Sequence, residues 1–190
     1  IADWNDVPTG SMRPSILEGD RIAVNKLAYG LKFPFTGWQI LEWSDPQRGE
    51  VIVFWSEDGT RFVKRVIGVS GDRIELREGR LLVNGVAATY SRVDSIDGGR
   101  APAVRESLDG ASWNIAALPH RSDESAFGPV TVPDRHVFVM GDNRDNSLDS
   151  HSFGFIDRER IAGRVVGIAI SLDPDRWYWP RWHRFFANLD

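Results

Sequence analysis

The chain has 190 residues, 42% hydrophobic and 26% charged, with a formal net charge of −4; that length fits one domain, or a core domain carrying a smaller insertion. The slightly acidic balance, with no basic tract, gives no reason to expect a nucleic-acid partner, and the lack of cysteine rules out disulfides and thiolate metal sites while saying nothing about compartment. No run of about 18 apolar residues occurs, so no helix formed by this sequence is long and apolar enough to cross a bilayer.

In chain order, residues 1–10 are polar and contain Pro8 and Gly10, which predicts a loop leading to Ser11. Ile16-Leu17 and Ile22-Ala23-Val24 flank Glu18-Gly19-Asp20 and predict a short hairpin, with Gly19-Asp20 either a plain turn or a structural support. From Tyr29 to Trp43 the chain is aromatic (Phe33, Phe35, Trp38, Trp43) and broken by Gly30, Pro34 and Gly37, which argues against a regular element. Glu50–Trp55 reads as a buried strand, Asp58-Gly59 as a hairpin turn, and Thr60–Val69 as its partner strand. Alternation along that partner puts Phe62, Lys64 and Val66 on one face and points Arg65 away.

Ser70-Gly71-Asp72, Glu78-Gly79 and Asn84-Gly85 are turns that separate the short strands Arg73–Arg77, Leu81–Val83 and Val86–Tyr90, an all-β pattern. Periodicity fails between Ser91 and Gly128, which reads as an inserted variable segment with room for a short hairpin and no assigned chemistry. His136–Met140 and Ile161–Leu172 are predicted strands on either side of the loop Asp142–Phe155. The tail, 175–186, mixes Trp177, Tyr178, Trp179, Trp182, Phe185 and Phe186 with Arg176, Arg181, His183 and Arg184. It suits either a membrane interface, with rings among headgroups and cations against anionic lipid, or packing on the β core.

Three stretches carry chemistry. Thr9-Gly10-Ser11-Met12-Arg13-Pro14 places a serine on a glycine-flanked turn, which is either an ordinary turn or one that presents a hydroxyl and a backbone N–H to the same carbonyl. A serine hydroxyl needs a base within reach. No Gly-x-Ser-x-Gly elbow is present, His120 lies in the irregular insert and His183 in the tail, and Lys64, in the second stretch Arg61-Phe62-Val63-Lys64-Arg65-Val66-Ile67-Gly68 with its Gly71-Asp72 turn, is the better candidate. A lysine ordinarily titrates near about 10.4, so it must be buried among apolar neighbours such as Phe62 and Val66 to be neutral in use. The third stretch is Gly141-Asp142-Asn143-Arg144-Asp145-Asn146-Ser147-Leu148-Asp149-Ser150. As a calcium loop it misses the required ligand spacing.

Together and in this order, these stretches resemble the boxes of the type I signal peptidases, membrane serine proteases that use a Ser-Lys dyad; the resemblance runs from Pro8 to Leu172, apart from the insert. It implies a mostly antiparallel β fold, with a catalytic core (1–79 and 130–190) and an inserted smaller β region (80–129). It implies Ser11 as nucleophile, Lys64 as base, and an oxyanion hole from the Ser11 N–H and the Thr9 hydroxyl, where many relatives have serine. Ser147 is expected to bond the lysine amine, with Asp149, Asp142 and Arg144 as loop support, Asp149 pairing with a basic residue two positions on. Many relatives have arginine there; this chain has His151. Met12 and Val63 are expected to line the substrate pocket.

No cofactor or metal is implied. The implied partners are preprotein signal peptides, cut after small residues at Ala-x-Ala-like sites, and a membrane lipid surface met by the aromatic stretch; a monomer is expected. Relatives carry a membrane anchor just before the serine box, and Ile1 in place of Met leads to the expectation that such a segment was removed, with the catalytic part extracytoplasmic. The rival readings are another Ser-Lys peptidase on this scaffold (a conjugative pilin-processing peptidase or a self-cleaving repressor) and an inactive β module that binds peptide or membrane. A repressor lacks support, because no Ala-Gly or Cys-Gly pair sits outside a predicted strand.

Overall fold

The structure, a computed structural model, describes residues 2–32, 39–93, 103–116 and 126–189. In chain order its strands begin with β1 (Ala2–Asp6), β2 (Asp20–Asn25), β3 (Gly30–Lys32), β4 (Gln39–Glu42), β5 (Val51–Trp55) and β6 (Arg61–Gly68). Then come β7 (Arg73–Arg77), β8 (Arg80–Val83), β9 (Val86–Ala87), β10 (Thr89–Val93), β11 (Ala103–Leu108), β12 (Ala111–Ala116) and β13 (Phe127–Thr131). The last are β14 (His136–Met140), β15 (Ile156–Asp157), β16 (Ile161–Asp173) and β17 (Trp179–Pro180), with one short helix, α1 (Ser150–Phe153), before β15. Every pairing among the described residues is antiparallel. The fold is mostly β, as expected.

The main sheet runs β1-β2-β16-β5-β6-β14-β15, with β17 on the end of β16. A second sheet, β13-β7-β8-β9, and a third, β10-β11-β12, carry the central part of the chain. Thus β7, which precedes the boundary read at residue 80, joins the second sheet. The segment assigned no chemistry holds the third. Trp113 and Ile115 of β12 share one core with Ile74, Leu81 and Phe138.

Strand β5 explains the centre of the fold. Its run Val51-Ile52-Val53-Phe54 is apolar at every position because both faces are covered. Val51 and Val53 pack with Met12, Ile16 and Ile22, whereas Ile52 and Phe54 pack with Val66, Val139 and Ile161. The predicted turn closes the β5–β6 hairpin: the Thr60 carbonyl accepts from the Ser56 N–H at 2.8 Å, and Gly59 takes φ +81°.

Three expectations fail locally. Residues 2–6 form a strand instead of a loop. β1 is polar because it lies at the edge of the sheet, and the cross-strand pairs Asp3–Lys26 and Asp6–Arg21 tie it to β2. Ile16-Leu17 and β2 make no hairpin; residues before β2 form a 3-10 turn (Gly10–Met12) and further turns, with Ile16 buried as a plug. The aromatic stretch does contain regular structure, the β3–β4 pair. Phe33, Phe35 and Trp38 fall outside the described residues, as do 94–102 and 117–125, with His120 among them.

Gly19 is a support rather than a plain turn residue. It adopts φ +85°, and a Cβ there would sit 2.2 Å from the Leu172 carbonyl oxygen. That carbonyl belongs to β16, whose Leu172 N–H donates back to Gly19. Gly19→Ala should therefore lose at least the ~1–3 kcal/mol of a non-glycine left-handed residue, read as a lowered urea midpoint with unchanged slope. A midpoint equal to wild type would show that the turn rearranges freely.

Candidate active site

The serine turn is held by apolar plugs below and by polar clamps above. Met12 and Ile16 are buried among Val7, Ile22, Val24, Val51 and Val53. From the other side the Asn143 N–H donates to the Ser11 carbonyl at 3.0 Å, and Asn143 Nδ2 donates to the Gly10 carbonyl at 3.0 Å. In sequence Asn143 reads only as a candidate calcium ligand. Its position inside Gly-Asp-Asn, directly after a strand end, was the signal for this clamp.

Lys64 lies at the centre of β6, 2% exposed. Its Nζ is 2.9 Å from Ser11 Oγ and 5.7 Å from the centre of the Phe62 ring. Phe62 itself stacks on Phe54 and leans on Phe153. Burial pulls the Lys64 amine below the ordinary lysine range, while the charges of Asp149 and Asp142 work against that shift.

Strand register places the third stretch. Met140 of β14 pairs with Arg65, so Gly141 leaves the sheet beside the middle of β6. Gly141 must be glycine for lack of room: a Cβ would fall 2.1 Å from Ser147 Oγ and 2.5 Å from the Ser11 carbonyl. Asp142 takes a bidentate bond from Arg65 (2.8 and 2.7 Å), both side chains being buried, and Arg65 Nη1 also donates to the Gly49 carbonyl. Arg65 does point away from Lys64, into the loop rather than to solvent.

Two expected partnerships differ. Ser147 donates to Asp149 Oδ1 at 2.5 Å, while the hydrogen bond of Lys64 Nζ goes to Ser11. Asp149 accepts from the Gly141 N–H at 2.8 Å and from Ser147, and makes no pair with His151, whose ring stands edge-on to Phe127 at 6.5 Å. A shorter imidazole in place of an arginine leaves Asp149 bracing its own loop through the backbone. Arg144 is buried and paired with Glu106 of β11, a residue absent from the expected site. A lone glutamate on an irregular-looking stretch carried no sequence signal.

Beside Ser11 and Lys64 opens a groove of about 710 Å³. Its walls are Trp4–Met12 on one side and Thr60–Lys64 on the other, with Asn146 and Leu148 at the third-stretch end. Thr9, Ser11, Met12, Val63 and Lys64 all line it, so five of the expected residues converge on one cleft. The Thr9 hydroxyl makes no capping bond to the turn it precedes.

The sequence profile described as "Signal peptidase, peptidase S26" matches residues 1–170. The chain is 34% identical over 180 residues to a signal peptidase I of Pseudomonas fluorescens and 35% identical over 180 residues to one of Pseudomonas aeruginosa. Each alignment covers 87% of this chain and 63% of the relative, so the chain spans less than two thirds of their length. A probable signal peptidase I-2 of Synechocystis is 30% identical over 204 residues, covering 95% of this chain and 76% of the relative. With the profile matched over residues 1–170 of 190, all three stretches included, the chain belongs to the signal peptidase S26 family.

Proposed function

We propose that the chain acts as a serine endopeptidase that removes signal peptides from secreted preproteins after small residues, at the extracytoplasmic face of a membrane. The observation that carries this is the 2.9 Å contact between Ser11 Oγ and the amine of a buried Lys64. When neutral, Lys64 accepts the Ser11 proton as Oγ bonds to the scissile carbonyl carbon and the carbonyl electron pair moves onto oxygen. The ammonium then protonates the leaving amine as the C–N bond breaks. Water, deprotonated by the same amine, cleaves the acyl-serine and regenerates Ser11. The Ser11 N–H and the Thr9 hydroxyl are the proposed donors to the oxyanion.

Strand edges support a binding mode. Among the described residues β6 pairs with β14 only through Arg65–Gly68, leaving Arg61–Lys64 with a strand on one side alone, and β1 is the outer strand of the sheet. Both line the groove. An extended substrate fits there as an added strand, with Met12 and Val63 forming the apolar walls of the pocket next to Ser11.

Ser11→Ala and Lys64→Ala should each abolish cleavage of a preprotein while leaving the far-UV CD spectrum and melting curve close to wild type. In wild type, kcat/KM should rise with pH through a Lys64 pKa that lies below the ordinary lysine value, because only the neutral amine takes a proton. A rising limb that survives Lys64→Ala and vanishes in His151→Ala would move the base role to histidine.

Thr9→Val removes the hydroxyl and keeps the shape. Loss of one oxyanion donor lowers kcat about 100- to 1,000-fold, with KM nearly unchanged, and Thr9→Ser should retain activity. Equal kcat in Thr9→Val and wild type would leave the Ser11 N–H as the only donor.

A lipid surface is proposed as the second partner. Trp177 is 97% exposed, and Tyr178, Trp179, Trp182, Phe186, Leu41 and Trp43 are also exposed, so these apolar side chains are not spent on the core. Tyr178 shares a cleft with Val7 and Pro8, which also line the groove. Arg181 and Arg184, read as lipid-facing cations, are instead paired with Asp173 and Asp20, so the attraction is mainly apolar. Tryptophan emission should shift to the blue on addition of vesicles, with only weak dependence on salt. Trp179→Ser with Trp182→Ser should weaken binding; no shift and no co-sedimentation would defeat the lipid contact.

A further inference from the structure

We propose that Glu106, on the inserted sheet, is a positioning residue for the Ser11–Lys64 pair, acting by clamping Arg144 and through it the loop that holds the serine turn. The inference rests on the serine-peptidase reading above.

Glu106 is 0% exposed. Its carboxylate accepts from both Nη atoms of Arg144 (Nη1 at 3.0 Å), from the Tyr90 hydroxyl at 2.8 Å and from Trp113 Nε1 at 2.9 Å. Four donors fill the acceptor capacity of a carboxylate, so this buried charge is oriented from every side. Arg144 is also buried, and its Nε donates to the Gly141 carbonyl at 3.2 Å.

The two grips fall on either side of Asp142 and Asn143. Asn143 carries the two bonds to the carbonyls of Gly10 and Ser11. Gly141 gives its N–H to Asp149, which also holds Ser147. A shift of Arg144 therefore moves the serine turn and the Asp149 brace together.

The inserted sheet meets the site at further points, all from β12. The Ala116 N–H donates to the Asp142 carbonyl at 2.9 Å, Ser15 Oγ donates to the Asn114 carbonyl at 3.4 Å, and the Trp113 ring lies under the Arg65 guanidinium at 5.5 Å. Packing alone does not require an ion pair here, since well-packed apolar side chains stabilise a core at least as well. What the pair adds is direction: fixed bonds that set where the loop sits. The charged groups acting on Lys64 are Asp142 and Asp149, at the two ends of this loop.

The test is steady-state cleavage of a preprotein in detergent by wild type, Glu106→Gln and Glu106→Gln/Arg144→Met, with melting curves. Displacements of about 1 Å at a reacting pair cost on the order of 100-fold in rate. Glu106→Gln should lower kcat about 10- to 100-fold at nearly constant KM, and the pH at half-maximal kcat/KM should move. The double variant, lacking both charges, should regain melting temperature but not kcat. Wild-type kcat and pH profile in Glu106→Gln would overturn the proposal, as would recovery of kcat together with stability in the double variant. Should Glu106→Gln not fold, Trp113→Phe removes one of the four donors. It should lower kcat several-fold and shift the pH profile, and an unchanged profile would count against the clamp. A wild-type protein that cuts no preprotein sinks the peptidase reading and this one with it; equal cutting by wild type and Glu106→Gln sinks this one alone.

Discussion

A lysine amine can accept a proton only when it is neutral, with its lone pair free, and the burial of Lys64, on which the proposed base role depends, is shared work of the surrounding structure. The amine sits on a central strand, under Phe62 and beside Ser11, with Phe54 and Phe153 closing the aromatic layer around it. Removing it from water lowers its proton affinity, while Asp142 and Asp149 hold that shift in check. Both carboxylates are committed elsewhere, Asp142 to Arg65 and Asp149 to Gly141 and Ser147. They therefore act on Lys64 at a distance and leave its hydrogen bond to Ser11.

The second organising device is a set of buried ion pairs that join segments far apart in the chain. Arg65–Asp142 joins β6 to the loop after β14, Arg144–Glu106 joins that loop to β11, and Arg184–Asp20 joins the tail to the start of β2. Such pairs contribute little net stability over apolar packing, but a half-broken one leaves a buried charge uncompensated. They penalise the wrong arrangement more than they reward the right one. That suits a proposed catalytic pair whose members are 53 residues apart in sequence and 2.9 Å apart in space.

Sequence alone determined the central strands, and the resemblance its three stretches carry pointed to five of the residues that line the cleft. Continuous apolar runs and Gly-containing turns have the same meaning in any context, which is why β5, β6, β7, β14 and β16 emerged nearly at their observed bounds. Alternation placed Lys64 and Phe62 on one face and Arg65 on the other because the period of a strand is fixed by its backbone.

Tertiary structure decided what alternation and turn chemistry do not encode. β1 is a strand only because β2 offers it an edge and opposite charges, and polar edge strands look like loops when read in isolation. Asn143, Glu106 and the true partners of Ser147 and Asp149 depended on three sheets meeting, which brings residues from opposite ends of the chain within a hydrogen bond. Hydrogen-bond partners are a property of three-dimensional proximity. A sequence names the groups that need partners, and only the packed fold assigns them.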